Sequence, residues 1–296
     1  MGFRASVASM LVPILALGAC TSDRADTSAV SGSGADTVSV IASFYPLAFI
    51  AERIGGGRVT VVNLTPPGAE PHDLELSPDQ LERIGEADLA VVLGKGFQPS
   101  AEKAAETRSG ETIQGLTAVL GDDVGDNVDP HVWLDPELLP PLIDSVQAAL
   151  SSVDPGSAPV FSTNAEQLKS DLAALHGRFS TALANCARRV IVTSHDAFDR
   201  LAKRYGLTTE AMAGFSPDDE PSPDRLAELI DVVEKTGVTT VFTEELVSPA
   251  VAQTLARETG TSVEVLNPLE GPPKVGDYFS AMDGNLAKLR AALDCS

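Results

Sequence analysis

The sequence predicts an α/β protein in which two Rossmann-like lobes, each with a parallel β-sheet, are joined by one long rigid helix. Strand and helix signals alternate in the first half of the chain and again in the second, a pattern typical of parallel sheets covered by helices on both faces. Between the halves, residues 163–185 form the longest uninterrupted helical pattern. We therefore predict a first lobe over residues 38–160, a connector helix over 161–186 and a second lobe over 187–296.

The first half begins with two β-branched segments, TVSVIASF at 37–44 and RVTVVNL at 58–64, separated by an apolar helical stretch that ends in glycines. The next helix has Ser77 as its N-cap and Pro78 in its first position, which is a strong start signal. The strand DLAVVLG follows at 88–94. Further along, PELLPPLIDSVQAALSSV and the 163–185 segment are both helical by period, with no strand between them.

The second half returns to alternation. Its predicted strands are RRVIVTS at 188–194, LTTEAMA at 207–213, VTTVFTE at 238–244 and TSVEVLNP at 261–268. Amphipathic helices separate these strands, one of them with Ser222 as N-cap and Gly237 as its stop, and a last helix closes the chain. This half therefore predicts a second parallel sheet.

The chain opens with a segment typical of a secretory signal peptide, over residues 1–19. Arg4 is its only early charge, and the apolar stretch that follows is too short to span a bilayer. Leu-Gly-Ala-Cys at 17–20 resembles the lipobox of bacterial lipoproteins, which implies that Cys20 is lipidated; the alternative is an ordinary signal peptide with a chance cysteine. Residues 20–37 lack aromatic side chains and predict a flexible tether.

Charge and cysteine content limit the partners and the compartment. A formal net charge of −21 repels nucleic acid and anionic lipid and attracts cations, so we expect no nucleic-acid partner. With Cys20 committed to lipid, Cys186 and Cys295 remain as an even pair in an oxidising compartment. We predict a disulfide between them, with two buried free thiols as the alternative.

Three of the four histidines occupy similar positions in the sequence. They lie in loops within short polar motifs: Pro-His-Asp at 71–73, Asp-Pro-His-Val-Trp-Leu-Asp at 129–135 and Ser-His-Asp at 194–196. His72 and His195 follow predicted strands, and ligands of open α/β sheets bind beyond the carboxyl ends of strands. Each imidazole taken singly is more typical of a hydrogen-bonded loop side chain, but three that converge would suit zinc. His176, inside the long helix, is interpreted as a surface or packing residue.

The segments PHDLELSPDQ, DPHVWLDP, SHDAFDRLAKRYGL, FTEE and VLNPLEG together carry a resemblance. From about Val38 to the C-terminus, the chain resembles the zinc- and manganese-binding lipoproteins of bacterial ABC importers. The resemblance implies two lobes joined by one rigid helix, with a metal site in the cleft between them.

Position by position, the resemblance implies that His72, His131 and His195 are metal ligands. The position at which the family carries an aspartate ligand is Asn267, which is a poor ligand. Glu270 resembles the glutamate that members with an NPLE sequence use instead. The alternative is a fourth position filled by water, with Glu270 a solvated loop carboxylate. Acids beside the ligand positions are expected to support the histidines: Asp73, Asp129, Asp135, Asp196 and Glu244.

The resemblance implies an extracytoplasmic, lipid-anchored, monomeric protein, in the periplasmic space or on the outer surface, that captures Zn²⁺ and delivers it to the permease and ATPase of an ABC importer. Three histidines with one carboxylate favour zinc over manganese, for which harder oxygen ligands are better suited. A manganese-binding member is one alternative. A zinc-dependent hydrolase with Glu270 as base is another, although no His-Glu-x-x-His motif is present. The acidic segment GDDVGDNVD stands where many zinc-binding members have a His-rich loop.

Overall fold

Two parallel sheets of four strands each form the frame of the protein. The computed structural model describes residue 2 and residues 37–123, 125, 128–217 and 219–296. The predicted signal peptide and tether, including the proposed lipidation residue Cys20, lie outside the described residues except for residues 2 and 37.

The first sheet consists of β1 (Val38–Ala42), β2 (Val59–Asn63), β3 (Leu89–Val92) and β4 (Glu111–Gln114). Its helices are α1 (Tyr45–Gly55), α2 (Pro78–Glu86), α3 (Pro99–Thr107), α4 (Gly115–Leu120) and α5 (Pro140–Val153). The strand order is β2-β1-β3-β4, and every pair is parallel. The loops that leave the carboxyl ends of these strands therefore emerge at one edge of the sheet.

The long helix α6 (Ala158–Ala182) joins the two halves. Its buried side chains recur at alternating intervals of four and three residues, which places them on one stripe of the helix: Phe161, Ala165, Leu168, Leu172, Leu175 and Phe179. The helix begins three residues before the predicted connector at 161–186 and ends four residues before its end. Such a continuous stripe keeps α6 packed along its whole length.

The second sheet consists of β5 (Val190–Thr193), β6 (Thr208–Ala211), β7 (Thr240–Thr243) and β8 (Ser262–Val265). Its helices are α7 (Asp199–Arg204), α8 (Pro223–Thr236), α9 (Ala250–Thr259) and α10 (Tyr278–Leu293). The order β6-β5-β7-β8 repeats that of the first sheet, again with parallel pairs. The predicted fold class, two parallel α/β sheets with a long helix between them, is confirmed.

The largest hydrophobic core draws side chains from both halves of the chain. It includes Trp133 of the first half, and Phe242, Leu269 and Tyr278 of the second, together with the buried stripe of α6. The structure also contains the predicted disulfide between Cys186 and Cys295, which ties the chain just before β5 to the segment just after α10. Among the described helices, none is both long and apolar enough to cross a membrane.

Candidate metal centre

Four side chains that the sequence singles out come together in the structure. His72 lies in the loop after β2, and His131 immediately precedes a short 3₁₀ helix, Val132–Leu134. His195 follows β5 by two residues, and Glu270 lies in the loop between β8 and α10. Two of the four side chains thus come from each half of the chain, and one ligand atom from each lies within 4.8 Å of all the others.

The ligand atoms of this cluster are deeply buried and mutually close. The Oε1 atom of Glu270 lies 3.4 Å from His72 Nε2, 3.5 Å from His131 Nε2 and 3.4 Å from His195 Nε2. The Nε2 atoms of His131 and His195 are 3.3 Å apart. His131 and His195 are fully buried, Glu270 is 1% exposed, and the side chain of His72 is 11% exposed.

Four of the six separations within the cluster match those of ligand atoms around a tetrahedral zinc ion. Zinc lies about 2.0–2.1 Å from imidazole nitrogen, and the corners of a regular tetrahedron around it are then about 3.3–3.4 Å apart. The four distances measured here are 3.3 to 3.5 Å. Among the described residues, Glu270 Oε1 and His72 Nε2 are buried without a hydrogen-bond partner. Buried polar atoms are rarely left in that condition, so both atoms are suited to a cation between them.

Two acids hold the far nitrogens of the buried histidines. The Nδ1 atom of His131 lies 2.9 Å from Asp129 Oδ1, and that of His195 lies 2.7 Å from Glu244 Oε1. A carboxylate on Nδ1 keeps the proton there and leaves the Nε2 lone pair free for a metal. Glu244 follows β7, the neighbour of β5 in the sheet, which is why its carboxylate reaches His195.

These carboxylates also change the titration of the cluster. Burial alone would lower the pKa of His195, but the carboxylates of Glu244 and Glu270 raise it to about 10. Burial likewise opposes a charge on His131, yet Asp129 and Glu270 raise its pKa. Burial would raise the pKa of Glu270, but the three imidazoles that face its carboxylate lower it well below its ordinary value. Without metal, the cluster therefore holds protons that a cation must displace.

The other acids expected near the ligands occupy different surroundings. Asp135 is buried and bound by Arg204, whose Nε lies 2.8 Å from Asp135 Oδ2, and it also accepts from the backbone N–H of Glu137. Asp73 is exposed, and Asp196 is half-buried. Within the described part of the chain, no hydrogen bond joins either of these two side chains to a ligand imidazole. Of the five acids expected from the sequence, Asp129 and Glu244 are therefore the two whose carboxylates, within the described residues, contact a ring nitrogen of these histidines.

His176 lies apart from the cluster, on α6. Its ring stacks on Tyr205 with centroids 5.7 Å apart, and its two nitrogens lie 3.3 Å from Tyr205 Oη and 3.2 Å from Ser180 Oγ. The sequence interpretation of this histidine as a packing residue agrees with these contacts.

Glu70 is a site residue that the sequence interpretation missed. Its carboxylate accepts from the backbone N–H of His72 at 3.3 Å. Burial and the nearby charge of Glu270 raise the pKa of Glu70 to about 8. A glutamate two residues before a ligand histidine was the available signal, but the sequence does not show that its side chain turns toward the same cluster.

A cavity of about 380 Å³ borders the cluster at Glu270. Glu244, Glu245, Glu270 and Lys274 are among its lining residues, and Lys274 Nζ lies 3.4 Å from Glu245 Oε2. Negative side chains that line a cavity concentrate cations near it. The arrangement can therefore admit a divalent cation and enclose it in a shell of three nitrogens and one oxygen.

The chain matches the family described as ZnuA, the periplasmic component A of the zinc-uptake complex, over residues 40–292. It is 32% identical over 281 residues to the zinc-binding lipoprotein AdcA of Streptococcus pneumoniae, an alignment that covers 87% of this chain and 56% of that protein. It is also 32% identical over 290 residues to the high-affinity zinc uptake system protein ZnuA of Bacillus subtilis, covering 90% and 91% of the two chains.

A solved structure agrees with both matches. The crystal structure of the Zn(II)-bound ZnuA-like domain of Streptococcus pneumoniae AdcA superimposes with a TM-score of 0.74 at 32% identity, and covers 87% of this chain and 99% of that domain. The chain spans little more than half the length of the complete streptococcal protein. Because the family match extends through nearly the whole described fold, this chain belongs to the ZnuA family of periplasmic zinc-uptake components.

Proposed function

We propose that this protein is an extracytoplasmic solute-binding lipoprotein that captures Zn²⁺ and delivers it to the permease and ATPase of an ABC-type metal importer. The observation that carries the proposal is the spacing of the four buried candidate ligand atoms: four of their six separations are 3.3 to 3.5 Å and all six are within 4.8 Å, with Glu270 Oε1 left without a hydrogen-bond partner among the described residues. The zinc-binding relatives and the Zn(II)-bound structure support the same cargo.

The proposed ligands are His72, His131, His195 and Glu270. Three imidazoles and one carboxylate form a set of borderline softness, which suits zinc better than manganese. The carboxylates on His131 and His195 increase the basicity of these rings, which strengthens their bonds to a cation. A water molecule as fourth ligand would leave the buried Glu270 carboxylate without a bond to the cation, although its Oε1 lies 3.4 to 3.5 Å from the Nε2 atoms of all three histidines.

A closed shell of protein ligands also argues for transport over hydrolysis. Catalytic zinc sites keep an open position for water and need a separate base. In the proposed site, Glu270 is the fourth ligand and so does not serve as that base. The family is one of solute-binding transport proteins, which supports binding and release as the whole task.

Cys20 is the proposed lipid attachment residue. The tether through residue 37 would hold the protein, proposed to be a monomer, near its permease. The proposed lobes at 38–160 and 187–296, joined through 161–186, share one hydrophobic core, so wide separation of the lobes would expose much apolar surface. Release of zinc is therefore proposed to proceed by rearrangement of the loop that carries His72, rather than by wide hinge opening.

The proposal is tested by metal analysis of the protein purified without added metal, followed by competition with a zinc chelator and a structure solved at the zinc absorption edge. We expect one zinc per chain at the four-residue cluster. Binding of manganese in preference to zinc would overturn the choice of cargo, and zinc at a different position would overturn the ligand assignment. Esterase and peptidase assays of the zinc-loaded protein are expected to show no turnover.

A further inference from the structure

The segment Asn267–Glu270, between β8 and α10, has an unusual backbone conformation just before the proposed ligand Glu270. Leu269, the residue just before Glu270, has φ of 57°, and its side chain is fully buried. A bulky L-residue rarely adopts a positive φ, and such a conformation persists only where surrounding contacts impose it. The turn at Leu269 determines the direction in which the chain presents Glu270.

A buried asparagine on α10 supplies the first of those contacts. Asn285 is 1% exposed, and both ends of its side-chain amide bind the backbone of Asn267. Its Oδ1 accepts from the N–H of Asn267 at 2.9 Å, and its Nδ2 donates to the carbonyl of the same residue at 2.6 Å. The Asn285 side chain thus satisfies both backbone polar groups of Asn267, just beyond β8, and joins the Asn267–Glu270 segment to α10.

The next two residues are held as well. The side chain of Asn267 accepts from the N–H of Leu269 at 2.7 Å, which closes the turn that carries the positive φ. The indole N–H of Trp133 donates to the carbonyl of Pro268 at 2.7 Å. Each residue before Glu270 is therefore hydrogen-bonded or packed, whereas Glu270 Oε1 faces the three histidines.

We infer that Asn285 and Asn267 are positioning residues for metal capture: together they impose the turn at Leu269 that holds the Glu270 carboxylate at the fourth corner of the site. This inference rests on the proposed function and adds to it the residues that keep the fourth ligand in place. Because zinc binds a preorganised shell more tightly than one that must first be ordered, loss of either side chain weakens binding through Glu270 alone.

A double-mutant cycle on zinc affinity tests the inference. Asn285→Ala is expected to raise the zinc dissociation constant about 10- to 100-fold, the range found when groups behind a metal ligand are removed. Glu270→Ala removes the ligand itself. If Asn285 acts through Glu270, its loss costs nothing further once Glu270 is absent, so the double variant will bind zinc within about 2-fold of Glu270→Ala. Effects of independent sites would instead add, to about the same 2-fold precision.

Leu289→Ala is the matched control. Leu289 lies one helical turn beyond Asn285 on α10 and is fully buried in the same hydrophobic core as Leu269, but its aliphatic side chain cannot make the hydrogen bonds that Asn285 makes with Asn267. This variant is expected to lower the melting temperature of the metal-free protein and to leave zinc affinity within about 2-fold of the parent. Asn267→Ala, at a less buried position, enters the same cycle should Asn285→Ala not fold.

Co²⁺ loading gives a second readout. Four-coordinate, tetrahedral Co²⁺ absorbs visible light more strongly than Co²⁺ whose coordination number is raised by water ligands. Asn285→Ala should therefore lose absorption intensity as Glu270→Ala does, whereas Leu289→Ala should keep it. Parent-like affinity of Asn285→Ala and Asn267→Ala, or a loss that adds in full to that of Glu270→Ala, overturns the inference alone. Parent-like affinity of Glu270→Ala refutes the proposed ligand set and the inference with it.

Discussion

The three histidines of the proposed ligand set differ in how firmly their rings are held. His131 and His195 each have a carboxylate on Nδ1, and Asp129 behind His131 is itself bound by Arg200, with Nε 3.1 Å from Asp129 Oδ2. His72 is the most exposed of the proposed ligands. Its ring packs on Phe97, with centroids 4.3 Å apart. The two buried rings therefore form a rigid half of the site, and His72 is the ligand best placed to exchange first.

The pH dependence of zinc binding follows from the proton on His195. A free imidazole would stop competing with zinc above about pH 6.5, but the raised pKa of His195, about 10, moves that competition to higher pH. Metal binds the neutral ring, so we expect zinc affinity to rise about 10-fold per pH unit between pH 7 and 9 for each proton displaced. Calorimetry in buffers of different ionisation enthalpy measures the protons released.

The control for this titration is Glu244→Gln, which removes one of the carboxylates that raise the pKa of His195. This variant should release fewer protons and show a flatter pH dependence. The folding stability of the metal-free protein depends on pH in the opposite direction to zinc affinity. Because the pKa of His195 is higher in the folded than in the unfolded chain, it contributes stability that is fully present below about pH 6.5 and is lost as pH rises toward 10. Zinc binding without proton release at pH 7.5 would contradict the assignment.

Replacement of single ligands is expected to separate the cluster from the remaining histidine. His72→Ala, His131→Ala and His195→Ala should each weaken zinc binding by more than about 100-fold, because even groups behind a ligand cost about 10- to 100-fold. His176→Ala, which loses only its contacts with Tyr205 and Ser180, should leave affinity unchanged. Chelator competition measures all of them, and an unaffected His195→Ala protein would exclude this site.

At the level of secondary structure, parallel strands bring the ligands together. β5, β7 and β8 are neighbours in the second sheet, and His195, Glu244 and Glu270 lie in the segments that leave their carboxyl ends. The first sheet has the same strand order and presents His72 after β2. Parallel pairing therefore collects side chains that are distant in sequence at one edge of each sheet.

The start of α2 provides a test at the same level. Ser77 Oγ accepts from the N–H of Gln80, and the Gln80 side chain accepts from the N–H of Ser77 at 2.9 Å, which forms a capping box. Ser77→Ala should lower the free energy of unfolding of the metal-free protein by about 1 kcal/mol, measured by urea denaturation, without altering zinc affinity. The control is Ser152→Ala, at an exposed position in the last turn of α5. It should change the free energy of unfolding by less than about 0.5 kcal/mol.

For the whole molecule, the shared core makes the two halves one mechanical unit. Tyr278 at the start of α10 donates to the carbonyl of Trp133 at 2.7 Å, and the indole of Trp133 donates in turn to Pro268. These buried bonds cross from the first half of the chain to the second beside the metal cluster. Opening of the site by separation of the halves would break both bonds and expose the aromatic core.

Removal of the disulfide tests how much this unit depends on its covalent link. Cys186 and Cys295 are 109 residues apart, so the cross-link should contribute roughly 4 to 5 kcal/mol by restricting the unfolded chain. Cys186→Ser with Cys295→Ser should lower the free energy of unfolding by about that amount in urea denaturation. The parent protein in reducing agent is the matched comparison, and two titratable thiols in the unreduced, unfolded parent would refute the link.

Cys20→Ser is expected to move the protein from the membrane fraction to the soluble fraction, since the proposed lipid attachment would be lost. Zinc affinity should stay the same, because the proposed tether and the metal cluster share no residues. Fractionation of cells followed by chelator competition checks both statements. A released protein with much weaker zinc binding would show that the N-terminal segment contributes to the site.

The elements that periodicity predicts are those with long or strongly apolar patterns, such as β1, β3 and α6. The segment from α3 through α4 was missed, because β4 is a four-residue edge strand with mixed polarity and α3 buries only two alanines. Local patterns of this length do not distinguish a strand or a helix from a loop.

The three histidines of the proposed ligand set stand out in the sequence, because each lies in a short polar motif and two of them follow strands. Their assignment as ligands, like that of Glu270, comes from a family resemblance. The contact of Glu244 with His195, the charge environment of Glu70 and the hold of Asn285 on the turn at Leu269 join residues far apart in sequence. Such pairs depend on which strands are neighbours and how the last helix packs against them. Sequence periodicity is a local property, whereas these contacts exist only once the sheets and α10 have folded around the same site.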